Sequence, residues 1–73
     1  MEKYKDINHD SGVAGYEIKD KSIEVWFDGT ARSYVYSYSS AGTSHVEKMK
    51  ELAKNGDGLN AYINYNVKYK YER

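Results

Sequence analysis

The stretch Ile23-Glu24-Val25-Trp26-Phe27-Asp28-Gly29-Thr30-Ala31-Arg32-Ser33-Tyr34-Val35-Tyr36-Ser37-Tyr38 decides the fold. Ile23, Val25 and Phe27 alternate with Glu24, Trp26 and Asp28, the two-residue period of a strand with one apolar face. Asp28-Gly29 is a hairpin signal, because both central residues of a type I′ turn need positive φ. Arg32 to Tyr38 then reads as the returning strand, with Tyr34, Tyr36 and Tyr38 on one face. The length of the turn decides what those tyrosines do. A two-residue turn pairs Phe27 with Thr30, Val25 with Arg32 and Ile23 with Tyr34, which places the tyrosines in the core and at its rim. A three-residue loop places them beside Trp26 on the opposite face, as an exposed stacking platform. A domain this small needs apolar area and has one Phe to offer, which favours the core placement.

Upstream, Val13, Gly15 and Glu17 alternate with Ala14, Tyr16 and Ile18, and Lys19-Asp20-Lys21 forms a polar turn. Three strands in an antiparallel meander are therefore expected. Residues 1–10, polar apart from Tyr4 and Ile7, read as a loose lead-in to a domain spanning 11–73. Downstream the period changes. Ser39-Ser40-Ala41-Gly42 reads as a loop, and Ser44-His45-Val46-Glu47 as a capping box. Val46, Met49, Leu52 and Ala53 then recur at helical spacing, and Asn55-Gly56 is a helix stop. Asp57 or Gly58 opens a second helix carrying Leu59, Tyr62 and Ile63. Val67 continues the helical stripe, whereas Tyr65, Val67, Tyr69 and Tyr71 also alternate as a strand does; a helix ending near Asn66 with an extended C-terminal tail is the favoured reading. The expected fold class is α+β: a three-stranded antiparallel meander followed by two short helices.

Composition narrows the function classes. Seventy-three residues make one domain with a small core. There is no cysteine, which excludes disulfides and thiolate metal sites and is compatible with a reducing cytosol. The Met1–Asp6 stretch lacks the apolar run of a signal peptide, and no segment has the roughly 20 apolar residues of a membrane span, so a cytoplasmic location is expected. Eleven Lys and Arg balance eleven Asp and Glu, so any nucleic-acid surface has to be a local patch. The skew lies in tyrosine, nine against one Phe and one Trp.

In their order and spacing the pieces resemble the KTSC family, named for the C-terminal domain appended to some lysyl-tRNA synthetases. The matching residues run from Ser11 through Gly15-Tyr16, Ile23-Glu24-Val25-Trp26-Phe27, Asp28-Gly29 and Tyr34-Val35-Tyr36 to Gly58-Leu59-Asn60-Ala61-Tyr62-Ile63-Asn64 and the closing Tyr71. The resemblance implies a free-standing bacterial or phage domain, or a synthetase appendage, with RNA binding suggested for the family. Its Tyr-x-Tyr commonly follows the turn glycine closely, whereas Arg32 and Ser33 intervene here; a shift by two keeps the face of the pair. The family pattern carries no catalytic residues.

The candidate binding residues are aromatic and basic. Tyr34 and Tyr36 form one group. In the tail, Lys68, Lys70 and Arg73 are placed to hold phosphates while Tyr69 and Tyr71 stack on bases. The plainer alternatives are a half-buried terminal segment with solvated lysines, or an edge strand in which lysine discourages aggregation and which offers a dimerisation surface. His9 beside Asp10, and His45 as a solvated first-turn residue, lack metal-ligand spacing. The serines have no recognisable base partner. Gly56-Asp57-Gly58 reads as a tight helix-to-helix turn, with helix N–H groups free to meet an anion. The function expected is a small non-enzymatic binding domain without cofactor or metal, acting on RNA or single-stranded nucleic acid. The alternatives are a protein-interaction module, a homodimer among them, and a binder of a small nucleotide-like ligand.

Overall fold

A computed structural model describes residues 1–5, 12–29 and 31–72. Residues 6–10 of the proposed lead-in, His9 among them, and also Ser11, Thr30 and Arg73, lie outside the described residues. The class is α+β, but the sheet has four antiparallel strands in the order β1 (Glu2–Lys3), β2 (Val13–Ile18), β3 (Ser22–Phe27) and β4 (Ser33–Ser37). Three helices follow: α1 (Tyr38–Ala41), α2 (Thr43–Asn55) and α3 (Leu59–Tyr62), which runs directly into a π-helical segment, Ile63–Val67.

The fourth strand corrects the reading of a loose lead-in for residues 2–4. Glu2 and Lys3 pair with Tyr16 and Gly15, and the Tyr4 N–H continues the ladder to the Ala14 carbonyl at 3.2 Å. Tyr4 then turns into the core, where it is 3 % exposed. Two paired residues carry too little periodicity to be read as a strand; the buried tyrosine that follows them is what anchors the segment.

The Tyr34 and Tyr36 row faces the core, by a register two residues from the one a tight turn gives. Ile23 pairs with Tyr36, Val25 with Tyr34 and Trp26 with Ser33, and Gly29 in the turn region takes φ +81°. A shift by two leaves every side chain on its face, so turn chemistry and face burial do not compete here. Packing breaks the tie, because this register sets Tyr36 over the buried Ile23. Tyr38 leaves the row altogether and opens α1. In β2 a bulge lies between Val13 and Gly15: Gly15 pairs with Trp26, yet Val13 pairs with Phe27. The extra residue turns Val13 to the helix side, where it is buried.

Helices cover one face of the sheet. Val46, Met49 and Ala53 of α2, Ala41 of α1, and Leu59, Ile63 and Val67 meet Ile23, Val25 and Tyr36 in a single apolar cluster. The other face is mixed, with the half-buried Trp26 and Val35 set among Glu24 and Ser33, as an antiparallel sheet open on one side allows. There the Lys19 ammonium lies 3.1 Å from Glu24 and the Ser33 hydroxyl donates to the same carboxylate at 2.5 Å. Both hydrogen bonds, that of Ser33 foremost, hold the Glu24 carboxyl below its usual range.

The capping box sits one helix earlier than the sequence pattern suggests. Ser37 and Ser40 exchange side-chain and backbone hydrogen bonds at 3.0 Å each and close the start of α1. With α2 beginning at Thr43 after Gly42, Glu47 falls beyond the third helical position and cannot reach back to a cap. Its carboxylate instead accepts from the Tyr38 hydroxyl at 2.6 Å and pairs with Lys50 at 3.1 Å. Those contacts lower the Glu47 carboxyl, and the Glu47 bond raises the Tyr38 phenol. The stop at Gly56 is as read, with φ +75° and its N–H closing on Ala53 and Leu52.

The tail is not a strand. Leu59, Ile63 and Val67 are all buried and four residues apart. An α-helix turns through 3.6 residues, so a stripe of period four drifts by about 40° per repeat. The wider π-helical turn over Ile63–Val67 takes up that drift and keeps the stripe facing the sheet. After Val67 the chain turns, and Tyr71 and Glu72 come back against β4: the Glu72 N–H donates to Val35 O at 2.6 Å, and the Ser37 hydroxyl donates to the Glu72 carboxylate at 2.5 Å.

Candidate binding site

The returning tail leaves a hollow of about 270 Å³ between itself, the π-helical segment and the end of the hairpin. Phe27, Tyr34 and Tyr36 line it from the sheet, Ile63 and Asn64 from the helix, and Lys68, Tyr69 and Tyr71 from the turn and tail. Five of the seven candidate residues, Tyr34, Tyr36, Lys68, Tyr69 and Tyr71, therefore converge on one concavity from segments more than 30 positions apart. Lys70 stands apart, exposed and outside the lining, with its N–H bonded to the Val67 carbonyl at 2.9 Å. Arg73 is outside the described residues.

The rings interlock edge to face. Tyr34 meets Tyr71 with centroids 4.8 Å apart and planes at 69°, and Phe27 meets Tyr34 at 5.6 Å and 68°. Tyr36 meets Tyr71 at 6.3 Å and 83°. Such arrangements set the positive edge of one ring against the negative face of another and hold the walls in place. The gradient of burial runs from floor to rim: Tyr36 is 1 % exposed, Tyr34 and Tyr71 are half-buried, and Tyr69 is 67 % exposed. Burial, with the Tyr34 and Tyr71 phenols adding to it, pushes the Tyr36 phenol up to about 12, so the floor stays neutral at physiological pH.

Cations sit over two of the rings. The Lys68 ammonium lies 5.4 Å from the Tyr69 ring centroid, and the Arg32 guanidinium lies 5.7 Å from that of Tyr34. Both distances fit cation–π contacts, which keep the charge near the ring without burying it. The site thus offers flat apolar walls, a neutral floor and positive charge at its mouth.

Set against family models, curated proteins and solved structures, the chain finds no match.

Three lining residues were missing from the sequence-based set. Phe27 and Ile63 carry a core signature, and they form core and wall at once. Asn64 was detectable only through the period of four, which sets it on one row with Lys68. Elsewhere two readings change. His45 is half-buried rather than solvated, with Nδ1 2.7 Å from the Tyr62 hydroxyl. The opening of α3 has less to offer an anion than its sequence suggests, because the Leu59 N–H donates to the buried Tyr4 hydroxyl at 3.2 Å. Among the described residues, no group of three His, Asp or Glu side chains could hold a metal, and no helix is long and apolar enough to cross a membrane.

Proposed function

We propose that this protein is a small non-enzymatic binding domain that holds RNA or single-stranded nucleic acid through the aromatic hollow. The observation that carries the reading is the convergence of Tyr34, Tyr36, Tyr69 and Tyr71 with Lys68 on one concavity. Unpaired bases offer flat faces to stack on such rings, and the basic rim serves the phosphate that follows each base. A duplex has no base free to enter. The motif order resembling the KTSC family accords with the same reading, and a cytoplasmic setting fits the chain's lack of cysteine.

Fluorescence anisotropy with labelled single-stranded RNA and DNA, against a duplex of equal length, tests it. Affinity is expected to favour the single strands, to fall as salt rises, and to drop several-fold in Tyr69→Ala and Lys68→Ala. Absence of binding to pooled single strands at low salt sinks the proposal.

A second reading is self-association or protein contact through the outer side of the same helix. It is favoured by Tyr65, which is 87 % exposed and four residues from Tyr69. Exposed tyrosines of this kind are common interface anchors. Sedimentation equilibrium decides the self-association: a concentration-dependent mass that Tyr65→Ser abolishes supports it, and a monomer at high concentration removes it.

A further inference from the structure

The row that brings Lys68 to the hollow brings an amide as well. Asn64 lines the hollow one repeat before Lys68, and its carboxamide has no hydrogen-bond partner among the described residues. Its neighbour Asn66 differs, spending its amide on the Tyr62 carbonyl at 3.1 Å. Beside Asn64 the walls are apolar or aromatic: Ile63, Tyr34 and Tyr71 supply surface, and Tyr69 with Lys68 closes the rim. A volume of about 270 Å³ lies just under the roughly 300 Å³ at which pockets for drug-sized ligands begin, so it suits one ring system.

We infer that the hollow reads a single adenine base, with the Asn64 carboxamide pairing to the N6 amine and N7 of its edge while the tyrosines hold its faces. The inference rests on the nucleic-acid reading above and narrows it to one base. A carboxamide presents one acceptor and one donor side by side. On the edge that faces the major groove in a duplex, adenine alone offers the complementary donor and acceptor; guanine offers two acceptors, cytosine a donor and uracil an acceptor. The Watson–Crick edge of every unpaired base sets a donor beside an acceptor, so the discrimination belongs to the N7 edge, which 7-deaza-adenine tests. A purine also covers more ring face than a pyrimidine and buries more apolar area against the tyrosines. The Lys68 ammonium, a donor only, is left to the adjoining phosphate.

Anisotropy titrations of the full chain with labelled ten-residue oligo(rA), oligo(rC) and oligo(rU) at low salt test this. Oligo(rA) is expected to bind about tenfold more tightly than the others, the discrimination one good bidentate pair supplies. Asn64→Leu should abolish the preference, so that the ratio of oligo(rA) affinity to oligo(rC) and oligo(rU) affinity falls to about one. Asn64 is exposed, so this variant is expected to fold. An oligo(rA) carrying 7-deaza-adenine reports on N7 without any change to the protein, and should lose most of the preference. Equal affinity for all three oligomers, or a preference that survives both Asn64→Leu and 7-deaza-adenine, overturns the adenine inference and leaves the nucleic-acid reading standing. Failure of every oligomer to bind overturns both.

Discussion

Tyr4 shows how much can rest on one residue in so small a core. Its ring is buried among the apolar side chains, and its hydroxyl accepts the N–H of Leu59, which is itself fully buried. Tyr4→Phe keeps the ring and removes the acceptor, leaving a buried donor unsatisfied. A loss of about 1–3 kcal/mol is expected, read as a lower urea midpoint at unchanged slope. Tyr36 makes a prediction in pH. Its phenol is raised to about 12 in the folded chain, chiefly by burial. An unfolded tyrosine ionises near about 10. The stabilisation is therefore complete below about pH 10 and disappears as pH climbs through about 12. Urea midpoints measured across that window should fall more steeply for the wild type than for Tyr36→Phe. Parallel declines would show that Tyr36 is not the group responsible.

At the scale of elements, the junction between α2 and α3 tolerates little change. Gly56 has φ +75°, and a Cβ built there would stand 2.6 Å from Lys5 Cβ. Gly56→Ala is thus both strained and crowded, and about 1–3 kcal/mol of destabilisation is expected from the backbone alone. Thermal unfolding of the variant measures it; a melting temperature within a degree of wild type contradicts the cap geometry. The π-helical segment follows from another local rule. A buried stripe of period four sets Leu59, Ile63 and Val67 against the sheet and leaves Ala61, Tyr65 and Tyr69 exposed along another side. The sequence shows that row plainly once a period other than 3.6 is considered. The alternation Tyr65, Val67, Tyr69, Tyr71 equally satisfies a strand, and what decides for the helix is that Ile63 and Val67 both reach the core.

At the scale of the whole molecule, the first strand and the last residues hold the two edges of the sheet. β1 covers the β2 edge and delivers Tyr4, while Glu72 fastens the tail to β4. Truncating a large aromatic core residue costs about 3–5 kcal/mol. A chain of this length is stable by only about 4–11 kcal/mol. Deleting residues 1–4 removes Tyr4 and the β1 ladder together, and is expected to take away a large part of that stability, read as a much lower melting temperature. Circular dichroism checks this, and a cooperative melt near the wild-type temperature would refute it. Glu72→Gly tests the other edge. It keeps the backbone N–H on Val35 and removes the carboxylate that accepts from Ser37; under the proposed function, single-strand binding is expected to weaken through a loosened Tyr71 wall, with little change in the melt.

The sequence by itself determined the α+β class, the β2–β4 meander, the helix over Val46–Ala53 and its stop at Gly56, because each rests on local period or backbone chemistry. It favoured the core face for Tyr34 and Tyr36 but left the opposite face open to a three-residue turn, and the observed register settled that choice on the core side. Only the tertiary structure decided the rest. A two-residue strand has no period to read, and a four-residue stripe competes with a two-residue one until a surface exists to pack against. The hollow draws its walls from the hairpin and the tail, and their meeting depends on Glu72 reaching Val35 across 37 positions of chain. No local pattern encodes that contact; it forms because the apolar side chains on either side of it have nowhere else to go.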